Sequence, residues 1–189
     1  MATAYYDFDT DPTLRAAVLF GHGDHFSRGN DVDAFSALAK SGKSFTLGDG
    51  QIDPLGRKQK LSKPLVVVVH GDTWNMGHEL HLVADIRVAS ADVRYAQIQN
   101  AYGRVPGVAP IRLVREAGWA NAMRYLLTGD HWDAQTAYRM GIVQAIASDR
   151  DAAAYAKLEA GYVSLFGSED FAEGRRAEVE NRVPVFHGR

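Results

Sequence analysis

Two glycine-containing turns, each lying between an apolar run and a helical segment, constrain the fold of this chain more tightly than any other feature. The first is Phe26-Ser27-Arg28-Gly29-Asn30-Asp31, after the run Ala16-Ala17-Val18-Leu19-Phe20. The second is His70-Gly71-Asp72-Thr73-Trp74-Asn75-Met76-Gly77-His78-Glu79-Leu80, after Leu65-Val66-Val67-Val68-Val69. Both runs are short and bounded by turn residues, and the second is β-branched, so they read as buried strands. A turn that opens a helix leaves N–H groups free and adds a favourable dipole, so each turn can present a donor to one oxyanion. The second turn also carries a carboxylate, Glu79, three residues after its candidate donor, Met76.

The remaining segments follow the same alternation. Asp33–Lys40 has apolar positions at helical spacing, residues 41–63 form a glycine- and lysine-rich loop, and Gly77–Ala84 reads as a short helix before a strand at Ile86–Ala89. Helices are predicted over Ile111–Ala117, Trp119–Leu127 and Asp133–Met140, with Gly118, Gly129 and Gly141 as stops. A strand is predicted at Val143–Ile146, then helices over Ala152–Leu165 and Ser168–Asn181, the last opened by a Ser168 N-cap. Strands alternating with helices predict an α/β domain.

The residue balance excludes several classes. At 189 residues, 46% of them hydrophobic, the chain supports one domain with a substantial core. A net charge of −2 gives no basic footprint for nucleic acid. Without cysteine there is no disulfide framework, thiolate metal site or cysteine nucleophile. The N-terminus is acidic and polar rather than signal-like, and Leu65–Val69 is far too short to span a membrane, so a cytoplasmic protein is expected.

These motifs together resemble the crotonase, or enoyl-CoA hydratase/isomerase, family. The resemblance extends through Ala84-Asp85-Ile86-Arg87-Val88-Ala89-Ser90, the proline-glycine loop Tyr102-Gly103-Arg104-Val105-Pro106-Gly107, and Leu126-Leu127-Thr128-Gly129 with Ala134–Val143. It resumes in the tail, Ser168–Arg176 and Phe186–Arg189. The resemblance implies a spiral of stacked ββα turns, with a core over 1–147 and a C-terminal helical segment of the same domain over 148–189. It also implies a homotrimer or hexamer. Relative to the family pattern, the chain begins near the end of the first helix, and a second gap falls between Ile146 and about Ala153.

On this resemblance the substrate is an acyl-CoA thioester, whose carbonyl oxygen gains charge as an enolate forms. Coenzyme A is then part of the substrate, and no metal or other cofactor is implied. The family's oxyanion positions fall on the N–H groups of Asn30 and Met76, and its first catalytic glutamate on Glu79. Its second glutamate falls on Gln99, whose amide can hold water but cannot exchange a proton at neutral pH. A single glutamate suits an isomerase, a lyase or a specialised dehydratase better than a simple hydratase. Phe26, Arg28, Gly29, Asp31, Trp74, Gly77 and Tyr102 are the candidate substrate-binding residues. In the family reading the basic stretch Lys40, Lys43, Arg57, Lys58 and Lys60, otherwise a solvated loop, meets the coenzyme A phosphates.

Each candidate also has a plainer role. Asn30-Asp31 fits a simple helix start, Met76 a core position, and Glu79 a carboxylate near a helix dipole. A non-catalytic acyl-CoA-binding or assembly protein on the same scaffold is the alternative. His78-Glu79-Leu80-His81 lacks the H-E-x-x-H spacing of a zinc site, and Gly42-Lys43-Ser44 lacks the first glycine of a phosphate loop. Gly21-His22-Gly23-Asp24-His25 reads as a strand-end turn with unpartnered histidines, and Trp74, Trp119 and Trp132 as packing residues.

Overall fold

A computed structural model of the protein describes residues 1–41, 47–148 and 168–187. The predicted helix at Ala152–Leu165 and the Gly42-Lys43-Ser44 segment lie outside those residues. The described chain runs α1 (Ala2–Thr10), β1 (Ala17–Phe20), α2 (Val32–Lys40), β2 (Leu65–Val69), β3 (Asp72–Trp74), α3 (Met76–Val83), β4 (Ile86–Ser90) and β5 (Arg94–Ala96). A 3₁₀ turn at Gln99–Tyr102 follows, then α4 (Ala109–Ala117), α5 (Trp119–Thr128), β6 (Trp132–Asp133), α6 (Ala134–Arg139), β7 (Ala145–Ala147) and α7 (Glu169–Val179).

Two sheets result. β1, β2, β4 and β7 form a parallel sheet in the order β1-β2-β4-β7, while β3, β5 and β6 form a second, with β3 and β5 parallel and β6 antiparallel to β5. Ser27 makes a parallel bridge to Thr73 and so extends the second sheet past β3. Each repeat gives one strand to each sheet and then a helix: β1, Ser27, α2; β2, β3, α3; β4, β5, α4. That is the expected ββα spiral.

Period-two alternation sorts β2 between two cores. Leu65, Val67 and Val69 face the main core with Leu82, Tyr95, Leu113, Tyr125, Leu126, Trp132 and Ile142. Val66 and Val68 face a smaller cluster with Val18, Val88, Ala145 and Ala147. A buried arginine ties the sheet to the helices. Arg87 of β4 donates to the Ile142 carbonyl (2.5 Å), the Ala84 carbonyl (2.9 Å) and the Glu116 carboxylate at the end of α4 (2.5 Å).

The long elements match their predicted spans to within a few residues, and Ser168 caps α7 by accepting from the Phe171 N–H at 3.0 Å. Three features differ from expectation. The stretch 72–74, read as part of a turn, is a strand; β5 pairs with it and β6 pairs with β5, although neither is predicted. Trp119 is 70% exposed rather than packed, because it opens α5 ahead of the buried stripe Ala122, Tyr125 and Leu126. His25 is partnered, as described below.

Arg87→Met should cost about 3 kcal/mol, because two carbonyls and a carboxylate lose a charged donor that water replaces poorly. Chemical denaturation should show this loss, while the exposed Arg115→Met should stay within about 0.5 kcal/mol of wild type.

Candidate active site

The two turns meet through backbone contact. Phe26 N–H donates to the His70 carbonyl (3.0 Å), Ser27 N–H to the Asp72 carbonyl (3.2 Å), and Trp74 N–H back to the Ser27 carbonyl (2.8 Å). The approach is close enough to require glycine. A Cβ on Gly77 would lie 2.6 Å from the Ser27 carbonyl oxygen, and one on Gly29 would lie 3.0 Å from Asn75 Cβ. Gly29 also has φ +112°, a conformation that L side chains rarely adopt.

In the second turn Asn75, immediately before α3, takes an unusual backbone for a residue other than glycine, with φ 51° and ψ −117°. Such a residue persists only when its surroundings hold it. Asn75 N–H donates to the Ala96 carbonyl (2.9 Å), and its side-chain oxygen accepts from the Ile98 N–H (3.1 Å). Its side-chain amide reaches the Arg28 carbonyl (3.4 Å), and its own carbonyl accepts from the Glu79 N–H (2.9 Å). Asn75 was absent from the expected site residues. Its one sequence signal is that asparagine tolerates positive φ better than other non-glycine residues.

Asn30 and Met76 each follow a residue of the Gly29–Asn75 contact. Met76 is the first residue of α3, where an N–H has no intrahelical acceptor. Among the described residues neither the Asn30 nor the Met76 amide donates to a protein group.

One turn into α3, Glu79 is 2% exposed. Its Oε1 accepts from the Gly107 N–H at 2.7 Å. Burial pushes the carboxyl above the usual range, opposed by the Val108, Gly107 and Ala109 N–H groups and by Arg57 at a distance. Helix α4 has no capping side chain of its own, and Glu79 meets its first amides from another element. A Cβ on Gly107 would lie 2.5 Å from Glu79 Oε2, so a larger residue here would push the carboxylate out of its place.

The other candidates are spread around this centre. Gln99 opens the 3₁₀ turn after Asn75's partner Ile98, and its side-chain oxygen is buried without a hydrogen-bond partner. Glu79's hydrogen-bond partners are the amides at the start of α4 rather than Gln99. Phe26 packs against the main core, and Asp31 caps α2 by accepting from the Ala34 N–H at 2.9 Å. Trp74 lies under the Arg28 guanidinium, 5.5 Å from its ring centre, with His131 edge-on at 5.1 Å. Tyr102 is 67% exposed and lies under Arg104. In the basic stretch, Arg57 is paired with Asp53 at 2.7 Å.

His78 and His81 point away from Glu79's carboxylate environment into an aromatic layer. His81 stacks on Tyr95, which stacks on Trp132, while His78 sits edge-on to both Tyr95 and Trp132. The Gln97 amide donates to His78 Nδ1 at 2.8 Å, which leaves the imidazole hydrogen on Nε2. Both nitrogens of His81 are buried and unpartnered. Among the described residues no group of three or more histidine or acidic side chains is placed to hold a metal ion, and no helix is long and apolar enough to cross a membrane.

Comparison with known proteins decides the family. The sequence profile of the enoyl-CoA hydratase/isomerase family matches residues 1–161. The chain belongs to this family. Among curated members it is 29% identical to the enoyl-CoA hydratase EchA19 of Mycobacterium tuberculosis, covering 100% of this chain and 85% of that protein. It is also 29% identical to a carnitinyl-CoA dehydratase of Citrobacter koseri, over 100% and 87% respectively. The structure is similar to that of a probable enoyl-CoA hydratase/isomerase from Mycobacterium abscessus, with TM-score 0.76, 36% identity and 100% and 86% coverage. It is also similar to an enoyl-CoA hydratase from Mycobacterium tuberculosis, with TM-score 0.74, 26% identity and 98% and 86% coverage. As in these structures of the enoyl-CoA hydratase/isomerase family, the architecture is a mixed α/β crotonase fold.

The buried histidines of this family member make it acid-labile. Burial depresses His78 to about 3 and His81 well below 6.5, so the folded state takes up fewer protons than the unfolded chain below pH 6.5. Stability is therefore lost as pH falls through 6.5, by up to about 1.4 kcal/mol per pH unit for each histidine. Raised Glu79 acts in the opposite sense, but it is one group against two. The thermal midpoint should fall steadily from pH 7 to pH 5, and His81→Phe should flatten that slope; an unchanged slope would exclude the histidines as its cause.

Proposed function

We propose that this chain acts on an acyl-CoA thioester, with the Asn30 and Met76 N–H groups as an oxyanion hole and Glu79 as the single acid/base group. The observation that carries the reading is the Glu79 carboxylate: buried, raised, and anchored by the α4 amides one helical turn after Met76. Two amides without protein acceptors, each following a residue of the Gly29–Asn75 contact, are suited to the charge that develops on a thioester oxygen. Glu79, when ionised, removes a proton from the acyl chain, the two amides hold the enolate, and the carboxyl returns the proton at another carbon.

The raised pKa brings Glu79 closer to the neutral range in which proton transfer is efficient. Gln99 positions substrate or water without carrying a proton. Double-bond migration, or elimination of a group that leaves without needing a proton, then fits this chain better than addition of water. Relatives named as an enoyl-CoA hydratase and a carnitinyl-CoA dehydratase support the acyl-CoA substrate class. Phe26, Gly29, Trp74 and Gly77 surround the acyl group. The exposed apolar side chains of Ile111, Trp119 and Leu127 on α4 and α5 support assembly as a trimer or hexamer.

Incubation with short and medium enoyl-CoAs in deuterated water should place deuterium on the acyl chain, read by product mass. Glu79→Gln should reduce that exchange about 10²–10⁴-fold while thioester binding survives; a wild-type exchange rate would remove Glu79 from the mechanism. Gln99→Glu should shift the product ratio towards hydration, because water addition alone needs a second proton-transfer group. An unchanged ratio in a folded variant would show that Gln99 does not occupy that place.

A further inference from the structure

Beneath the first turn lies a buried carboxylate that the chemistry above does not use. Asp72, in β3, has a side chain with 0% exposure, yet it is held by two arginines whose side chains are each 59% exposed. Its Oδ2 accepts from Arg28 Nε at 2.7 Å, and its Oδ1 from Arg94 Nη2 at 2.5 Å and Nε at 3.0 Å. The Asp72 N–H donates to His25 Nδ1 at 3.0 Å. His25 Nε2 lies 2.9 Å from Arg28 Nη2 and 3.7 Å from Asp72 Oδ2.

We infer that Asp72 is a positioning residue for the oxyanion-hole donor at Asn30, acting through Arg28 and His25. This rests on the reaction proposed above. Arg28 immediately precedes Gly29 and Asn30, and His25 lies at the other end of the same turn. Asp72 thus grips the segment carrying the first donor at two points, its carboxylate holding Arg28 and its backbone N–H holding His25, from the strand that leads into the second. The Arg28 carbonyl is fixed as well, by the Asn75 side chain at 3.4 Å, so side chain and main chain of one residue bind the two turns together. The guanidinium also lies over the Trp74 ring, 5.5 Å from its centre, on the same strand. Charged hydrogen bonds to a carboxylate shielded from water are the strong kind, whereas two exposed ion pairs would contribute little. Arg94 balances the buried charge from β5 without touching the turn.

A positioning role and a direct substrate contact by Arg28 make different predictions. A small displacement of a donor costs turnover by about 10²-fold with little change in binding, because the donor matters most in the transition state. Arg28→Ala, a change at a half-exposed side chain, should lower kcat on 2-butenoyl-CoA by about ten- to a hundredfold with KM moved far less. Arg28→Lys should recover part of the loss. By hydrogen exchange, the amides of residues 26–31 should exchange faster in Arg28→Ala and Asp72→Asn, with residues 65–69 unchanged. Arg94→Ala should leave exchange at 26–31 close to wild type.

A folded Arg28→Ala with wild-type exchange over 26–31 overturns the inference, and so does a raised KM at unchanged kcat, which would make Arg28 a substrate contact. If the wild-type protein turns over no enoyl-CoA, the proposed reaction fails and the positioning role fails with it. Altered exchange at 26–31 would then establish a structural clamp alone.

Discussion

A carbonyl oxygen resting on a bare α-carbon holds this molecule's centre together. Ser27 O and Gly77 come so close that no other residue fits at position 77 without displacing the first turn. From that contact follow the Ser27–Thr73 bridge, the placement of Gly29 against Asn75, and the left-handed backbone of Asn75 itself. Strain at such a residue costs about 1–3 kcal/mol. The hydrogen bonds around Asn75, each contributing about 0.5–1.5 kcal/mol, are enough to hold it.

Glu79 shows two electrostatic effects of opposite sign acting on one group. Burial favours its neutral form, while the amides at the start of α4 favour the ion, and burial prevails. The same geometry serves structure and chemistry together. The carboxylate stands in for the missing cap of α4, so the helix that carries Leu113 into the core begins on the side chain that would move the proton.

Legibility in the sequence followed the length and apolarity of each element. β2 is a run of β-branched residues covered on both faces, and its pattern is visible without tertiary information. β3 and β5 are three residues each and contain Asp72 and Arg94; a strand buries an aspartate such as Asp72 only because charged partners such as Arg94 reach it. That pairing spans both strands and Arg28, so no local window contains it. His25 was invisible as a partner for the same reason. Glu79 and the two glycine turns were readable because they fall within one motif apiece, whereas Asn75 looked like one more polar residue before a helix. The α4 amides over Glu79 come from a loop whose course the sequence does not reveal.

The main sheet has a consequence for how the protein comes to exist. All its ladders are parallel, so none is closed by a tight hairpin, and partners such as Ala17 and Leu65, or Val88 and Ala145, lie far apart along the chain. Chain entropy must be lost before such pairings return any stabilisation, which makes folding slow and cooperative. Ser27 follows β1 and Thr73 follows β2, so the pairing of those strands also brings the two turns together. A partly folded chain of this kind presents open strand edges and no site at all. Chemical competence therefore arrives late, in a single step, with the completed topology.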